Sequence, residues 1–224
     1  MVGSLLYATA TRFDISHIVN VLARYLNNPG YLHIQAAKNV IKYLKGTDDY
    51  GLLYADYEED GITVKSINIS AYSDADWAGN VDNYKSTSAG ILSVGENIVD
   101  GFTRSQHTVS LSSTESEFIA VVETSKGIKW AQSLLSEIGI PQILPIILYC
   151  DNKSTIAATL NKGMSSKLRH MNIRYHWIKD EVKKGDIKLV HVSTANQLAD
   201  ILTKTLTPKP FKLLRDRIVS KQQV

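Results

Sequence analysis

The sequence predicts an α/β protein in which helices cover a mixed β-sheet. Several strand-like segments follow one another before residue 107, and after a long helix the strands alternate with helices. This order favours one sheet with parallel and antiparallel strands rather than separate layers of each kind. The segment ILPIILYC adds a continuous apolar run, which is typical of an interior strand that is buried on both faces.

The first half of the chain contains two predicted helices and a series of strands. The segment DISHIVNVLARYLNNPG begins with an Asp start signal and ends in Asn-Asn-Pro-Gly, and LHIQAAKNVIKYLKGT keeps apolar residues at helical spacing as far as Gly46. Two or three strands are expected in residues 50–74, with an Asp-Gly turn at 60–61. The segment STSAGILSVGENIVDGFTRSQ predicts a further pair of strands, joined near residues 95–97.

The second half predicts alternating elements. A long helix covers roughly residues 113–138, and the apolar strand then ends at Asp151. A short helix in DNKSTIAATLNKG, a polar helix over 168–184 and the strand DIKLVHVS follow. The segment TANQLADILTKTL predicts a last helix, which Pro208 closes.

Composition excludes several classes of protein. The 224 residues are 44% hydrophobic and 21% charged, which is ordinary for one large globular domain or one domain plus an appendage. A net charge of +3 permits nucleic-acid binding without arguing for it. No apolar run reaches the ~18 residues of a membrane span. The single Cys excludes a disulfide framework within the chain and fits a reducing compartment, so we expect neither membrane insertion nor secretion.

Acidic residues stand at the ends of predicted elements. They are Asp74 and Asp76 after a strand, Glu115 and Glu117 at the start of the long helix, Asp151 after the apolar strand, and Asp200 in the last helix. Carboxylates that meet at one sheet edge form the oxygen-rich site that Mg²⁺ or Mn²⁺ prefers. Two such ions can activate a water and stabilise the leaving oxygen of a phosphodiester.

Each acid also has a purely structural interpretation. Asp74 or Asp76 could form a turn, and Asp151 could cap the helix that follows it. Asp200 is harder to explain in this way, because Asp has a poor propensity for the middle of a helix. It could nevertheless face solvent beside Lys204.

Helical geometry separates the two glutamates, whereas strand geometry does not separate the two aspartates. Glu115 and Glu117 are two positions apart, about 200° around a helix, so they face opposite ways. Glu117 shares a largely uncharged face, and a buried carboxylate is costly unless it is paired or bound to metal. Glu117 is therefore the better ligand, and Glu115 is the more exposed acid of the helix start. Asp74 and Asp76 have the same strand parity, so both could face one side.

Six motifs in order resemble the ribonuclease H domain of copia-type LTR-retrotransposon polyproteins. They are AYSDADWAG, KSTSAGIL, LSSTESEFIA, ILYCDNKSTIA, RHMNIRYHWIKDEV and VSTANQLADILTKTL. The earlier segments VGSLLYATATRFDISHIVNVLARYL, AAKNVIKYLKGT and YGLLY resemble the end of the reverse transcriptase, or connection, that precedes this domain. The resemblance implies a connection appendage at 1–60, a ribonuclease H domain at 61–207 with a five-stranded mixed sheet between helices, and a C-terminal tail at 208–224.

The resemblance also implies a reaction and its site. The metal ligands and catalytic residues would be Asp74, Glu117, Asp151 and Asp200, with two divalent ions, Mg²⁺ or Mn²⁺. The reaction would be hydrolysis of the RNA strand of an RNA–DNA hybrid. Asp74 would bridge both ions, and Asp76 would be a turn or outer acid.

Polar and basic residues near these motifs are candidate contacts to nucleic acid. Hydroxyl and amide groups could contact the 2′-hydroxyls that distinguish RNA, and arginines could hold phosphates. The candidates are Ser86, Ser88, Asn152, Arg104, Arg169 and Arg174. Expected partners are the hybrid and the reverse-transcriptase domain of the same polyprotein, in cytoplasmic virus-like particles or in the nucleus.

The sequence departs from patterns of related enzymes at two places, and two alternative functions remain open. The segment VHVSTANQ is too short for a Gly-rich loop that carries a catalytic His, and YADY lacks the second Asp of the polymerase signature YxDD. A catalytically inactive module of the same fold is one alternative, although all four acids are retained. An integrase or transposase of that fold is the other, but such enzymes usually carry Glu on the last catalytic helix, where this chain has Asp.

Overall fold

A five-stranded mixed sheet organises the residues that this computed structural model describes, 1–54, 66–160 and 172–221. Strand β3 (Thr87–Val94) runs antiparallel to β2 (Ile69–Asp76) and β4 (Asn97–Ser105). Strand β5 (Ile146–Cys150) runs parallel to β2 and to β6 (Ile187–His191). The spatial order is β4-β3-β2-β5-β6, so the apolar strand β5 lies inside the sheet as predicted. The predicted α/β class with a mixed sheet is confirmed.

Eight helices and a second, two-stranded sheet complete the described elements. Strand β1 (Tyr50–Gly51) pairs with β7 (Ser220–Lys221). The predicted turn at 60–61 and residues 168–171 of the polar helix lie outside the described residues. The helices are α1 (Val2–Ala8), α2 (Ser16–Ala23), α3 (Tyr31–Lys45), α4 (Ser113–Glu137), α5 (Lys153–Leu160), α6 (Asn172–Lys184), α7 (Asp200–Thr203) and α8 (Pro208–Ile218), with 3₁₀ turns at Phe13–Ile15 and Thr194–Asn196.

Helices α4 and α6 cover one face of the sheet. Phe118 and Ile128 of α4 and Ile178 of α6 are buried against the apolar residues of β2, β5 and β6. Gly90 lets α4 approach β3, because a Cβ at this position would lie 2.5 Å from the hydroxyl oxygen of Thr124. This close contact places the middle of α4 directly against β3.

The opposite face is covered by the 3₁₀ turn Phe13–Ile15 together with α7 and α8. Ile91 of β3 is buried there, in a cluster with Phe13, Ile201 and Leu214. Residues from both ends of the described chain therefore complete the core beneath the sheet.

Within the predicted tail at 208–224, residues Pro208–Ile218 form helix α8. Pro208 was predicted to close the last helix, but it opens a new one, since the fixed φ of proline suits the first helical position. Leu214 and Ile218 bury the apolar side of this helix.

The segment before residue 54 packs directly on the sheet domain. Asn20 of α2 donates a hydrogen bond to the carbonyl of Thr103 on β4 (3.3 Å), and Arg24 donates to the hydroxyl of Thr87 on β3 (3.1 Å). The boundary predicted near residue 60 lies outside the described residues. The division into a connection and a ribonuclease H domain remains a prediction.

The helices were also compared with the requirements of a membrane span. Within 1–54, 66–160 and 172–221, no helix combines the necessary length with the necessary apolar character.

Candidate metal centre

The four predicted acids come from four different elements. Asp74 lies in β2, two positions before the strand ends, and Asp151 directly follows β5. Glu117 lies in the second turn of α4, and Asp200 is the first residue of α7. Because β2 and β5 are parallel neighbours, Asp74 and Asp151 lie toward the same edge of the sheet.

The structure brings these side chains together in what we call the carboxylate cluster: Asp74, Glu117, Asp151 and Asp200. Carboxylate oxygens of Asp74, Asp151 and Asp200 all lie within 4.8 Å of one another. An oxygen of Glu117 lies within the same distance of Asp151. Asp74, Glu117 and Asp200 are buried, and Asp151 is half-buried. The convergence that the sequence alone could not show is therefore present.

Lys204 is the cation that contacts this cluster. Its ammonium group donates to Asp74 Oδ1 at 2.9 Å and to Asp200 Oδ1 at 2.8 Å. Burial acts to lower the pKa of Lys204, but the carboxylates of Asp74 and Asp200 outweigh this effect and raise it. Lys204 is therefore charged and joins two of the four acids.

Neutral hydroxyl groups orient two of the carboxylates. Thr203 donates to Asp74 Oδ2, the oxygen that Lys204 does not contact. Thr194, in the 3₁₀ turn after β6, donates to Asp151 Oδ2 at 3.0 Å. Both carboxylates are thus held in place by groups that leave their charge unchanged.

Burial, and secondarily the crowding of negative charge, raise the pKa of two acids in the cluster. Burial raises the pKa of Glu117, and the neighbouring charges of Asp74 and Asp151 raise it further. Burial also raises the pKa of Asp200, with Asp74 as the next cause and Lys204 acting in the opposite direction. Glu117 Oε2 is buried and has no hydrogen-bond partner among the described residues. A cation placed here would stabilise the ionised forms and satisfy this oxygen.

The chemistry of the donors fits hard divalent ions. Four carboxylates supply only oxygen, which Mg²⁺ and Mn²⁺ prefer. The sulfur of Cys150 lies within 4.8 Å of Glu117 and Asp151 oxygens. Burial strongly raises the pKa of this thiol, and the charge of Glu117 adds to the effect, so it stays protonated and is a poor ligand.

The structure differs from the predictions for Asp200 and Glu115, and it excludes the structural alternative for Asp151. Asp200 does not lie in mid-helix but opens α7, where an acid suits the helix dipole. Glu115 is buried rather than exposed, because its Oε2 accepts a hydrogen bond from the backbone N–H of Leu111 (2.9 Å). Asp151 is not the cap of α5. That role belongs to Asn152, whose Oδ1 accepts from the backbone N–H of Thr155 (3.0 Å).

Asp76 differs from Asp74 although the two lie on one strand. It is half-buried at the last position of β2, and its carboxylate lies over Gly79, in the space that a larger side chain at residue 79 would occupy. This arrangement agrees with its interpretation as a turn acid beside the cluster.

The candidate nucleic-acid contacts occupy two kinds of position. Ser88, Arg104 and Arg174 line one cavity of about 260 Å³ between β4 and α4, which we call the basic groove. Ser86 is buried, and its hydroxyl accepts from the backbone N–H of Ala78 (3.1 Å), which gives it a packing role in this structure.

Two of the candidates, Ser88 and Asn152, already make hydrogen bonds within the chain. The Ser88 hydroxyl accepts from the side chain of Gln106 (2.8 Å), and Asn152 caps α5. Arg169 lies outside the described residues.

Sequence reasoning missed the functional relevance of Lys204 and Thr203. Lys204 lies four positions after Asp200, a spacing that places the two side chains together on a helix, so a signal was present. Thr203 carried no comparable signal, because its contact with Asp74 spans 129 positions of the chain.

Comparison with known proteins places the chain among transposon polyproteins. No protein-family model matches it. Over 97% of its length it is 39% identical to the retrovirus-related Pol polyprotein from transposon RE1 of Arabidopsis thaliana, and it spans 14% of that polyprotein. Over the same share it is 36% identical to the corresponding polyprotein from transposon TNT 1-94 of Nicotiana tabacum, of which it spans 16%.

Solved structures give a weaker likeness. The crystal structure of LC11-RNase H1 in complex with RNA/DNA hybrid has a TM-score of 0.46 and 14% identity, and the match covers 61% of this chain and 94% of that one. The fold assignment rests instead on the strand order, the element sequence and the carboxylates at the ends of β2 and β5.

Proposed function

Because the chain belongs to the retrovirus-related Pol polyproteins of transposons and has the ribonuclease H fold, we propose that it is a metal-dependent ribonuclease that cuts the RNA strand of an RNA–DNA hybrid. The observation that carries this proposal is the carboxylate cluster. Buried acids that converge without structural need are costly, and they persist where a cation is to be bound. The copia-type origin and the preference for Mg²⁺ or Mn²⁺ belong to the same proposal.

Asp74, Glu117, Asp151 and Asp200 would hold two divalent ions. When bound, such ions activate the attacking water and stabilise the departing 3′ oxygen of the phosphodiester. The chain itself supplies the positions of the ligands. Thr203 fixes Asp74 and Thr194 fixes Asp151, and oriented ligands of this kind are held ready for the ion.

Lys204 would assist by balancing charge. Its ammonium group contacts the carboxylates of Asp74 and Asp200 and would offset part of their negative charge before any ion arrives. The side chain of Lys204 is flexible and about one third exposed, so its ammonium group can also turn toward an incoming phosphate.

The basic groove would hold the nucleic acid beside the cluster. Arg104, Arg174 and Lys126 line it and could contact phosphates. Selectivity for RNA would require contacts to 2′-hydroxyl groups, for which Asn152 and Ser88 remain the candidates. We expect this activity beside the reverse-transcriptase region of the same polyprotein, in cytoplasmic virus-like particles or in the nucleus.

A cleavage assay tests the proposal. The 224-residue chain is incubated with an end-labelled RNA–DNA hybrid in Mg²⁺ or in EDTA, with duplex DNA and single-stranded RNA as comparisons. We expect cleavage of the hybrid RNA only, only in Mg²⁺, with 3′-hydroxyl and 5′-phosphate ends. Absence of cleavage in Mg²⁺ would favour an inactive module of this fold, and equal cutting of duplex DNA would favour an integrase-like enzyme.

Asp151→Asn provides the matched test of the cluster. The substitution keeps the size of the side chain, and the cap of α5 is retained because Asn152 provides it. We expect a loss of more than about 100-fold in cleavage, since effects of 10- to 100-fold already follow from changes behind a ligand. Asp180→Asn, at an exposed acid of α6, is the control and should leave cleavage unchanged.

A further inference from the structure

A second cavity adjoins the carboxylate cluster and is built in part by the N-terminal segment. Its volume is about 300 Å³, and we call it the α2 cavity. Three parts of the chain form its wall: helix α2 with Arg24, the end of β2 and the following loop, and the residues after α7. Its lining consists of His17, Val21, Arg24, Tyr25, Asp76, Gly79, Asn80, Val81, Thr87, Lys204 and Thr205.

Arg24 presents unused hydrogen-bonding capacity to this cavity. One terminal nitrogen, Nη2, donates to Thr87 Oγ1 at 3.1 Å and to Asn20 Oδ1 at 3.2 Å. Its Nε is buried and has no hydrogen-bond partner among the described residues. A buried donor without a partner is unfavourable, and an acceptor that reached Nε from the cavity would satisfy it.

His17 provides a second group of this kind. Its Nε2 lies 3.4 Å from the hydroxyl of Thr205, and its Nδ1 is buried without a hydrogen-bond partner in the part of the chain that is described. Burial, and secondarily the charge of Arg24, lower the pKa of His17 to about 4, so the ring is neutral near pH 7. A neutral ring can donate one hydrogen bond without adding charge.

The charges around the cavity favour an anion. Among the lining residues given above, Arg24 and Lys204 are positive and Asp76 is negative. Lys204 is already paired with Asp74 and Asp200, so Arg24 is the lining cation that is left to meet an anion. The guanidinium group of Arg24 matches the geometry of phosphate oxygens, and Lys204 already bridges to Asp74 in the cluster. A phosphate that entered here would be adjacent to the phosphate under attack.

We propose that the α2 cavity binds a backbone phosphate of the nucleic acid next to the scissile one, so that the N-terminal segment is part of the substrate-binding surface. This inference rests on the proposed ribonuclease function. It assigns to Arg24 a direct phosphate contact and to His17 a neutral hydrogen bond to the same group.

Binding without metal tests the inference separately from catalysis. The affinity of the 224-residue chain for a fluorescein-labelled RNA–DNA hybrid is measured by anisotropy in EDTA over a series of salt concentrations. Each phosphate contact contributes about 0.9 to the slope of log affinity against log salt. Arg24→Gln should therefore weaken binding several-fold and reduce the slope by about 1.

Three further variants keep the result interpretable. Arg24→Lys keeps the charge and should retain the slope. Val21→Glu removes no hydrogen bond but places a carboxylate one turn from Arg24, so it should reduce affinity and slope even if Arg24→Gln folds poorly. Lys38→Gln, at an exposed position of α3 outside the cavity, should behave like the unmodified chain.

The outcomes separate the two proposals. Unchanged affinity and slope in folded Arg24→Gln and Val21→Glu would overturn the α2 cavity as a phosphate site, even if the chain cuts the hybrid. An Arg24-dependent slope in a chain that never cuts would support the cavity and contradict the ribonuclease. An equal loss in Lys38→Gln would show that only net charge matters, and this too would overturn the inference.

Discussion

Asp74 and Asp76 lie two positions apart on β2, yet the structure gives their carboxylates different surroundings. Asp74 is buried and contacts Thr203 and Lys204 within the cluster. Asp76 is half-buried at the strand end, over Gly79, and borders the α2 cavity. Strand periodicity could not distinguish them, because both side chains have the same parity.

The first prediction is a difference between two matched substitutions. Asp74→Asn should abolish hybrid cleavage, because it removes a charge at the centre of the cluster. Asp76→Asn should reduce cleavage by less than about 10-fold, since an outer acid acts only indirectly. Initial cleavage rates in Mg²⁺ provide the measurement. Equal losses in the two variants would contradict the assignment of Asp74 as the ligand.

The second prediction concerns the charge of Lys204. Lys204→Met removes the ammonium group between Asp74 and Asp200 and leaves two buried carboxylates without it. We expect the free energy of unfolding in EDTA to fall by about 1–3 kcal/mol. Mg²⁺ should then raise the melting temperature of this variant more than that of the unmodified chain, because the ion takes over the charge balance.

Lys209→Met serves as its control. Lys209 is exposed on α8, and its substitution should change neither quantity. A Lys204→Met chain that is as stable as the unmodified chain in EDTA would show that Lys204 does not compensate the cluster.

For single residues, the sequence predicted the face of the helix better than the burial and the contacts of the side chain. Helical rotation correctly put Glu117 on the buried side of α4. The same rule made Glu115 exposed, but the loop before the helix folds back so that Leu111 donates to it. Arg24 and His17 were not recognised, because their relevance depends on contacts with Thr87 and Thr205 that lie far away in the sequence.

Helix α8 is an element that the sequence did not predict. It begins at Pro208, and four of its eleven residues are basic, so its sequence indicates a polar segment that follows the end of a helix. Only a narrow apolar side, with Leu214 and Ile218, is buried beneath the sheet. Apolar residues at this spacing indicate one face of a helix, but Pro208 was interpreted as the end of the preceding helix.

The third prediction compares two adjacent leucines of this helix. Leu214 is 3% exposed and Leu213 is 58% exposed. Leu214→Ala should lower the free energy of unfolding by about 2–5 kcal/mol, whereas Leu213→Ala should change it by less than about 0.5 kcal/mol. Urea denaturation followed by circular dichroism tests this. Similar values for both variants would mean that α8 is not docked in solution.

Elements with a strong local pattern were predictable, and those defined by distant partners were not. The long helix α4 and the apolar strand β5 occur where periodicity and hydrophobicity predicted them. The four residues of α7 were predicted as part of a longer helix over TANQLADILTKTL. Docking against β2 and β3 breaks that segment into a 3₁₀ turn, a short helix and an extended exit.

In the whole molecule, the N-terminal segment and the sheet share a core. Phe13 is buried among Ile91, Ile201 and Leu214, which belong to the sheet and to the last helices. Its ring also lies 3.0 Å from where a Cβ at Gly101 would be placed, so β4 carries glycine at this contact. The two regions are therefore coupled through packing.

The fourth prediction tests this coupling. Phe13→Ala should lower the free energy of unfolding by about 3–5 kcal/mol. The loss should appear in tryptophan fluorescence, because Trp77, Trp130 and Trp177 all lie outside the N-terminal segment. Tyr7→Ala, at a side chain that is 86% exposed, is the control. A fluorescence transition that Phe13→Ala leaves unchanged would mean that the sheet domain folds independently of that segment.

The carboxylate cluster joins residues that are remote along the chain. The contact between Lys204 and Asp74 spans 130 positions, and Ser73 of β2 meets Tyr149 of β5 across 76 positions. Long-range contacts form late, because the intervening loops must close first. A nascent or refolding chain can therefore hold native helices and hairpins while its carboxylate cluster is still unassembled. If the chain has the proposed activity, the time at which cleavage recovers during refolding would report the last folding step. RNA near an incompletely folded chain would remain uncut until the residues after 200 have docked.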